Sequence, residues 1–330
     1  MDLFTCGSSP LVPILPLIQS LFGIPSSSSL DAIEPTMNWS HKKRGFGEDF
    51  ATPDRKPAYN DLDVFLGIHS MDVKEKVASE STAFQNFDVY DVMGDIFKDR
   101  DTRSYHKSLS NDDSYEAKHP EFFAPDRVLF LDGVIQSTLR GDASYHESIV
   151  HPALIAHDDP KRVAIIGGGE GATLREVLKH STVEEAVMIE IDEGVVELSK
   201  EYLPQWQDCS SIAHHDQAAA WCFDDTRVTP KFEDAMAYFI DGYHTNDEEE
   251  VKFSVIIMDA LDPNDEIPFA VELYTSEVYI QSLYNALDEN GILVVQVGEA
   301  PTEHSPADET GHFANRAIMK NKLEEVGFKR

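Results

Sequence analysis

The chain has 330 residues, and its 27 Lys and Arg against 60 Asp and Glu give a formal charge of −33. That balance argues against a nucleic-acid or anionic-membrane surface and suits a polycationic substrate, although solvated surface acids account for most of it. There is room for one large α/β domain plus smaller pieces, and three cysteines (Cys6, Cys209, Cys222), an odd number without metal-ligand spacing, suggest neither a disulfide framework nor a zinc site.

At the N-terminus, LFTCGSS is followed by the apolar run LVPILPLIQSLFGI. A targeting peptide is a poor reading of it: no basic region precedes it, Asp2 sits at the start, and Pro13 and Pro16 interrupt a stretch too short to span a bilayer. The cytoplasm is therefore the expected compartment. A serine run at 26–29 and Pro53 and Pro57 mark irregular chain, and a domain boundary is expected at 71–77. Residues 84–90 and 128–131 read as strands of a small β-domain. The polar stretch between them, rich in Asp, Ser and Lys, reads as a flexible insertion over 91–127. His151-Pro152 then opens the approach to the main fold.

Residues 162–192, RVAIIGGGEGATLREVLKHSTVEEAVMIEID, compress a nucleoside-binding βαβ half into one run. An apolar strand at 163–166 stops at the glycine turn Gly167, Gly168, Gly169, Glu170, Gly171, where missing Cβ atoms permit a tight turn and close approach of a ligand. A helix is predicted over 172–180 and a second strand over 186–191. Glu190, near the end of that strand, is placed to accept both hydroxyls of an adenosine ribose. Enzymes of NAD and of adenosylmethionine-type donors share this half, so downstream residues must decide.

His214-His215-Asp216 lacks further ligands and reads as surface, so no metal site is predicted. Residues 228–240 read as a strand ending at Glu233-Asp234 and then a helix, which puts Asp234 in position to bind an adenine amino group. Residues 246–250 read as loop. The strand 255–258 delivers Asp259 to its C-terminal tip, the edge where open α/β sheets bind ligands, with Asp262 three residues on. An alkyl amine, with a pKa of roughly 10, cannot attack carbon until it loses a proton; one carboxylate can take that proton while a second holds the amine in line. A sulfonium ligand supplies a suitable electrophilic carbon. A helix over 274–287, a core strand over 291–297 and a helix-like run over 313–326 complete the chain.

From about residue 80 to 328 the chain resembles the polyamine aminopropyltransferases, the spermidine synthase family. The resemblance is carried by Phe84-Gln85, LFLDGVIQ (129–136), SYHES (144–148), GGGEGATLREVLKH (167–180), IEID (189–192), EDA (233–235) and DALDP (259–263). It implies transfer of the aminopropyl group of decarboxylated S-adenosylmethionine to a di- or polyamine, with release of methylthioadenosine and with that donor as co-substrate rather than any resident cofactor. It further implies that Asp259 is the proton acceptor and that Tyr145 and Asp262 position the amine. Gln85 and Glu190 would hold the ribose, Asp234 with Ala235 the adenine, and Glu170 and His146 would face the aminopropyl or sulfonium end. Gln136 would line the cleft, and Gly167 and Gly169 belong to the donor turn. The implied fold is a Rossmann-like, methyltransferase-type α/β domain with a mostly parallel sheet and a small N-terminal β-domain. The implied assembly is a homo-oligomer, dimer or tetramer. Ala260-Leu261 stands where spermidine synthases have two serines, a feature closer to relatives that use agmatine or longer amines; putrescine is the expected acceptor and the others stay open.

Residues 1–70 resemble part of eukaryotic-type S-adenosylmethionine decarboxylase, in whose T-C-G motif Cys6 would be a proton donor. With Met1 first, the self-cleaving serine that lies upstream of that cysteine is not expected, and the chain closes at Arg330, before the terminal strands that relatives have. The expected organisation is thus a decarboxylase-like α/β fragment (1–75), a small β-strand domain (76–145) and a C-terminally truncated catalytic domain (146–330). Two other classes are weighed against this reading: a small-molecule methyltransferase using intact S-adenosylmethionine, and a non-catalytic regulatory subunit.

Overall fold

A computed structural model describes residues 2–5, 73–93, 118, 124–212, 221–245, 251–261, 267–298 and 314–329. Cys6 and Gly7 of the T-C-G motif, residues 94–117 and 119–123 of the insertion, the histidine pair at 214 and 215, the loop at 246–250 and Asp262 lie outside these residues. The chain divides into two compact units, one of residues 1–14 with 143–330 and the other of residues 15–142.

In the second unit four antiparallel strands pair in chain order: β2 (Val73–Ser81), β3 (Asn86–Met93), β4 (Pro125–Leu131) and β5 (Val134–Thr138). The β4–β5 hairpin closes through Asp132-Gly133, both at positive φ (47° and 78°), the two-residue turn whose twist matches the flanking strands. At the β2–β3 turn, Thr82 Oγ1 accepts from the backbone N–H groups of Phe84 and Gln85. Val92, Val128 and Phe130 form the small core, and Arg127 grips Asp91 through two hydrogen bonds of 2.8 and 3.0 Å. Two of these strands, β2 and β5, were not expected from sequence.

The first unit is a six-stranded sheet in the order β1–β10–β9–β6–β7–β8, formed by β1 (Asp2–Thr5), β6 (Arg162–Gly167), β7 (Glu185–Glu190), β8 (Val228–Phe232), β9 (Phe253–Asp259) and β10 (Leu287–Val295). All pairings are parallel except that of the edge strand β1 with β10. Between the strands run α1 (Asp142–Ala156), α2 (Ala172–Leu178), α3 (Glu193–Tyr202), α4 (Ala235–Tyr243), α5 (Pro268–Thr275) and α6 (Glu277–Ala286); α7 (Ala314–Val326) follows β10.

The period of two along each strand sorts side chains to opposite faces. Val163, Ile165, Val255 and Ile257 pack with Ile149, Leu174 and Leu178 of α1 and α2. Ala164, Ile166, Ile256 and Met258 pack on the other side with Phe239, Tyr279, Leu283 and Met319 of α4, α6 and α7. A sheet covered on both faces needs strands that are apolar at every position, which is why β6, β7 and β9 read as continuous apolar runs. The helix expected over 274–287 is two helices: Ser276 leaves helical geometry (φ −69°, ψ 112°) and its hydroxyl caps Tyr279 N at 3.5 Å. His151-Pro152, expected to precede the main fold, lies inside α1.

The cysteine reading is corrected. Cys209 and Cys222, 13 residues apart and both fully buried, form a disulfide. Linear spacing conceals it because the chain after α3 folds back on itself: the Cys222 N–H donates to Gln207 O at 3.0 Å, and Asp208 bridges Trp221. Closing a loop of this length contributes about 3 kcal/mol by restricting the unfolded chain. Thermal melts with and without dithiothreitol should differ accordingly, whereas a Cys209→Ala/Cys222→Ala variant should melt low and ignore the reductant. Identical melts of the parent protein in both buffers would contradict a formed bond.

Candidate active site

The sheet order reverses direction at β6: the chain leaves it to build β7 and β8 on one side and later returns to build β9 on the other. Such a switch point opens a crevice at the C-terminal ends of the strands. Gly167 ends β6 beside Asp259, which ends β9, the two being register partners. Only glycine fits there, since Gly167 has φ +82° and a Cβ on it would lie 2.3 Å from the Asp259 carbonyl oxygen.

Five side chains meet at this crevice. The Tyr145 hydroxyl, from the first turns of α1, donates to Asp259 Oδ1 at 2.6 Å, and the Thr173 hydroxyl of α2 donates to Asp259 Oδ2 at 2.5 Å. His146 Nε2 lies 3.0 Å from Glu170 Oε1, and its ring stands edge-on to Tyr145 with centroids 4.8 Å apart. Burial pushes the Asp259 carboxyl above the usual carboxylate range and the Glu170 charge pushes the same way, opposed by His146, Thr173 and Tyr145. Two carboxylates, Asp259 and Glu170, thus lie close together at this crevice. His146, Glu170 and Asp259 offer atoms within 4.8 Å of one another, as do Glu147, His151 and Glu176. In the first group Asp259 accepts from Tyr145 and Thr173 while His146 meets Glu170; in the second, Glu176 meets His151 and Lys179.

One strand over, Glu190 ends β7 with its carboxyl turned into the glycine turn. It accepts from Asp192 N at 3.0 Å and from the Gly169 N–H, and a Cβ on Gly169 would come within 3.0 Å of its Oε2. Burial, helped by the charges of Glu170 and Asp192, pushes this carboxyl up to about 7 against those two backbone donors. Asp234 follows β8 and caps α4, accepting from Met236 N at 2.8 Å, with Ala235 buried behind it. The strand ends also expose three apolar side chains: Ile191 (38%), Phe232 (40%) and Leu261 (42%). The backbone after β9 is held by Tyr274, whose hydroxyl contacts the carbonyls of Leu261 and Gln296 at 2.6 and 2.8 Å.

Of the site residues expected from sequence, Tyr145, His146, Gly167, Gly169, Glu170, Glu190, Asp234, Ala235 and Asp259 lie at or beside the C-terminal edge of this sheet. Asp262 is outside the described residues. Gln85 and Gln136 belong to the other unit, Gln85 in the β2–β3 turn and Gln136 on β5, where its Nε2 reaches Val134 O at 3.4 Å. Thr173, Ile191 and Phe232 were not singled out in the sequence. Each sits inside or next to a quoted motif, but nothing in the linear string separates a contact residue there from a packing one.

A family model described as the spermine/spermidine synthase domain matches residues 142–317, a little over half of the chain. Polyamine aminopropyltransferase 1 of Hyperthermus butylicus is 45% identical over 172 residues, covering 52% of this chain and 53% of that protein. Polyamine aminopropyltransferase 2 of Pseudomonas aeruginosa is 40% identical over 201 residues, covering 61% and 50%. The chain spans about half the length of the curated relatives it matches. Among solved structures, spermidine synthase from Thermotoga maritima superposes with a TM-score of 0.52 at 25% identity, over 78% of this chain and 65% of that one. A spermidine synthase in complex with the transition state analogue AdoDATO gives 0.54 at 26% identity, over 78% and 66%.

Proposed function

Because the chain belongs to the spermine/spermidine synthase family, we propose that its switch-point crevice transfers an aminopropyl group from decarboxylated S-adenosylmethionine to a diamine, putrescine being the first candidate. The observation that carries this reading is Asp259, a carboxylate held at both oxygens at the tip of β9, with a second acid, Glu170, alongside. No metal or covalent intermediate enters this account.

The acceptor's ammonium gives one proton to Asp259. The freed nitrogen attacks the aminopropyl carbon next to the sulfonium, the new N–C bond forms as the C–S bond breaks, and the bonding pair returns to sulfur. The products are neutral methylthioadenosine and a secondary ammonium, with one proton released through Asp259. Orientation and proton removal supply the rate. Tyr145 and Asp262 position the amine, and Glu170 with His146 faces the cationic end of the donor. Glu190 holds the ribose, Asp234 takes the adenine amino group, and Ile191 and Phe232 offer apolar surface for the base. Leu261, exposed at the acceptor side, replaces a small polar residue by a bulky apolar one and makes agmatine and longer amines the acceptors to test after putrescine.

The same reading takes the protein as a cytoplasmic homo-oligomer; among the described residues no helix is long and apolar enough to cross a membrane. It takes residues 1–75 as similar to part of an S-adenosylmethionine decarboxylase, the activity that makes the donor.

Calorimetric titration with decarboxylated and with intact S-adenosylmethionine tests the donor. Stronger binding of the decarboxylated form supports aminopropyl transfer; preference for the carboxylated form points to a methyltransferase.

The state of Glu190 gives a pH dependence. Its folded carboxyl, at about 7, titrates well above the usual carboxylate value, so it becomes protonated as pH falls from 8 to 6 and loses a full acceptor for the ribose hydroxyls. Affinity for methylthioadenosine should therefore fall across that interval and level off below it. The slope should vanish in Glu190→Gln; a flat profile in the parent protein would contradict the assignment.

A further inference from the structure

We propose that Thr173 is a positioning residue for the reacting carboxylate: its hydroxyl locks Oδ2 of Asp259, leaving Oδ1 as the oxygen that exchanges its partner for the amine. This rests on the aminopropyl-transfer reading for the identity of the amine, but the hydrogen bond and its consequence for Asp259 stand on the geometry alone.

The two oxygens of Asp259 are held differently. Thr173 is fully buried, in the first turn of α2, and its β-branched side chain has few rotamers open to it in a helix. The glycine turn lies beside the bond: a Cβ on Gly168 would sit 3.6 Å from Thr173 Cβ and 3.8 Å from Asp259 Oδ2. Tyr145, which holds Oδ1, is 38% exposed and can swing aside for a ligand. A substrate nitrogen can thus displace the phenol but not the threonine hydroxyl, and the proton leaving the amine goes to Oδ1.

A base must be ionised to act, and four groups face this one. Glu170 from the glycine turn opposes ionisation, together with burial; His146 and Tyr145 from α1 and Thr173 from α2 favour it. Of the three favourable groups, Tyr145 changes partner during the reaction, and His146 is shared with Glu170. Thr173 is the donor whose partner does not change, so it sustains the carboxylate through the cycle.

The test is the carboxyl 13C resonance of Asp259, followed against pH in protein labelled at aspartate Cγ and assigned by its loss in Asp259→Asn. The isosteric Thr173→Val variant should titrate about one pH unit higher than the parent, since a buried carboxylate has lost a donor to its charged form. Thr173→Ser, which keeps the hydroxyl, should titrate near the parent. The acid limb of the kcat profile should move upward with the resonance in the Val variant, while methylthioadenosine affinity stays unchanged. A Val variant that titrates with the parent overturns the proposal, as does a Ser variant that behaves like Val, because shape and not the hydroxyl would then matter. If the resonance shifts as expected and the parent protein forms no methylthioadenosine with any amine, the functional reading falls and the positioning role stands.

Discussion

Replacement of Asp259 by Asn should lower kcat by about three orders of magnitude, within the range that a positioned general base contributes, while leaving the nucleoside product's affinity nearly intact. The substitution keeps the shape, and the amide oxygen can still accept one of the hydrogen bonds that Tyr145 and Thr173 donate. What it removes is the charge that binds the ammonium and the lone pair that takes its proton. Because β9 is buried along its length and Asp259 is its last residue, the fold should tolerate the change. A parallel loss of activity, nucleoside binding and thermal stability would instead mark Asp259 as a structural residue.

The second large effect is expected at Glu190. A hydrogen bond to a charged group is worth about 1.5–3 kcal/mol, so Glu190→Gln, which keeps the size and loses the charge, should weaken methylthioadenosine binding about 10- to 100-fold. The loss should appear in KM for the donor more than in kcat, because the ribose is held equally in ground and transition states. Stability should move the other way. The folded carboxyl binds its proton more tightly than the unfolded one, so ionisation works against the fold as pH rises from the usual carboxylate range through about 7. A neutral Gln avoids this, and Glu190→Gln should melt at least as high as the parent at pH 8. A variant that binds the nucleoside normally would remove Glu190 from the donor site.

Much of the six-stranded unit could be read from the linear string because its signals are local. Strands β6, β7 and β9 are continuous apolar runs, and each ends in a residue that stands out against them: a glycine turn, Glu190, Asp259. The parts that escaped depend on contacts distant in sequence. Strand β2, VKEKVASES, has one fully buried residue, Ala78, so its alternation is nearly invisible. The Cys209–Cys222 pairing depends on a chain reversal that no motif announces. Tyr145 and Asp259 are 114 residues apart, and their separate motifs suggested a shared site without indicating that one donates to the other. Thr173 was hidden for a simpler reason: a threonine near a helix start is ordinary, and only the placement of β9 beside β6 turns it toward a carboxylate. The assignment of the first 75 residues rests on resemblance alone, and the Cys6 motif lies outside the described residues.

The central claim is aminopropyl transfer, and mass-spectrometric product analysis tests it most directly. The protein would be incubated with decarboxylated S-adenosylmethionine and, in separate reactions, putrescine, agmatine, cadaverine, spermidine or spermine. The account predicts methylthioadenosine in amounts equal to an aminopropylated amine, first with putrescine, and neither product in the Asp259→Asn control. Measurable nucleoside binding without turnover on any of the five amines would contradict it and leave a binding subunit as the better description.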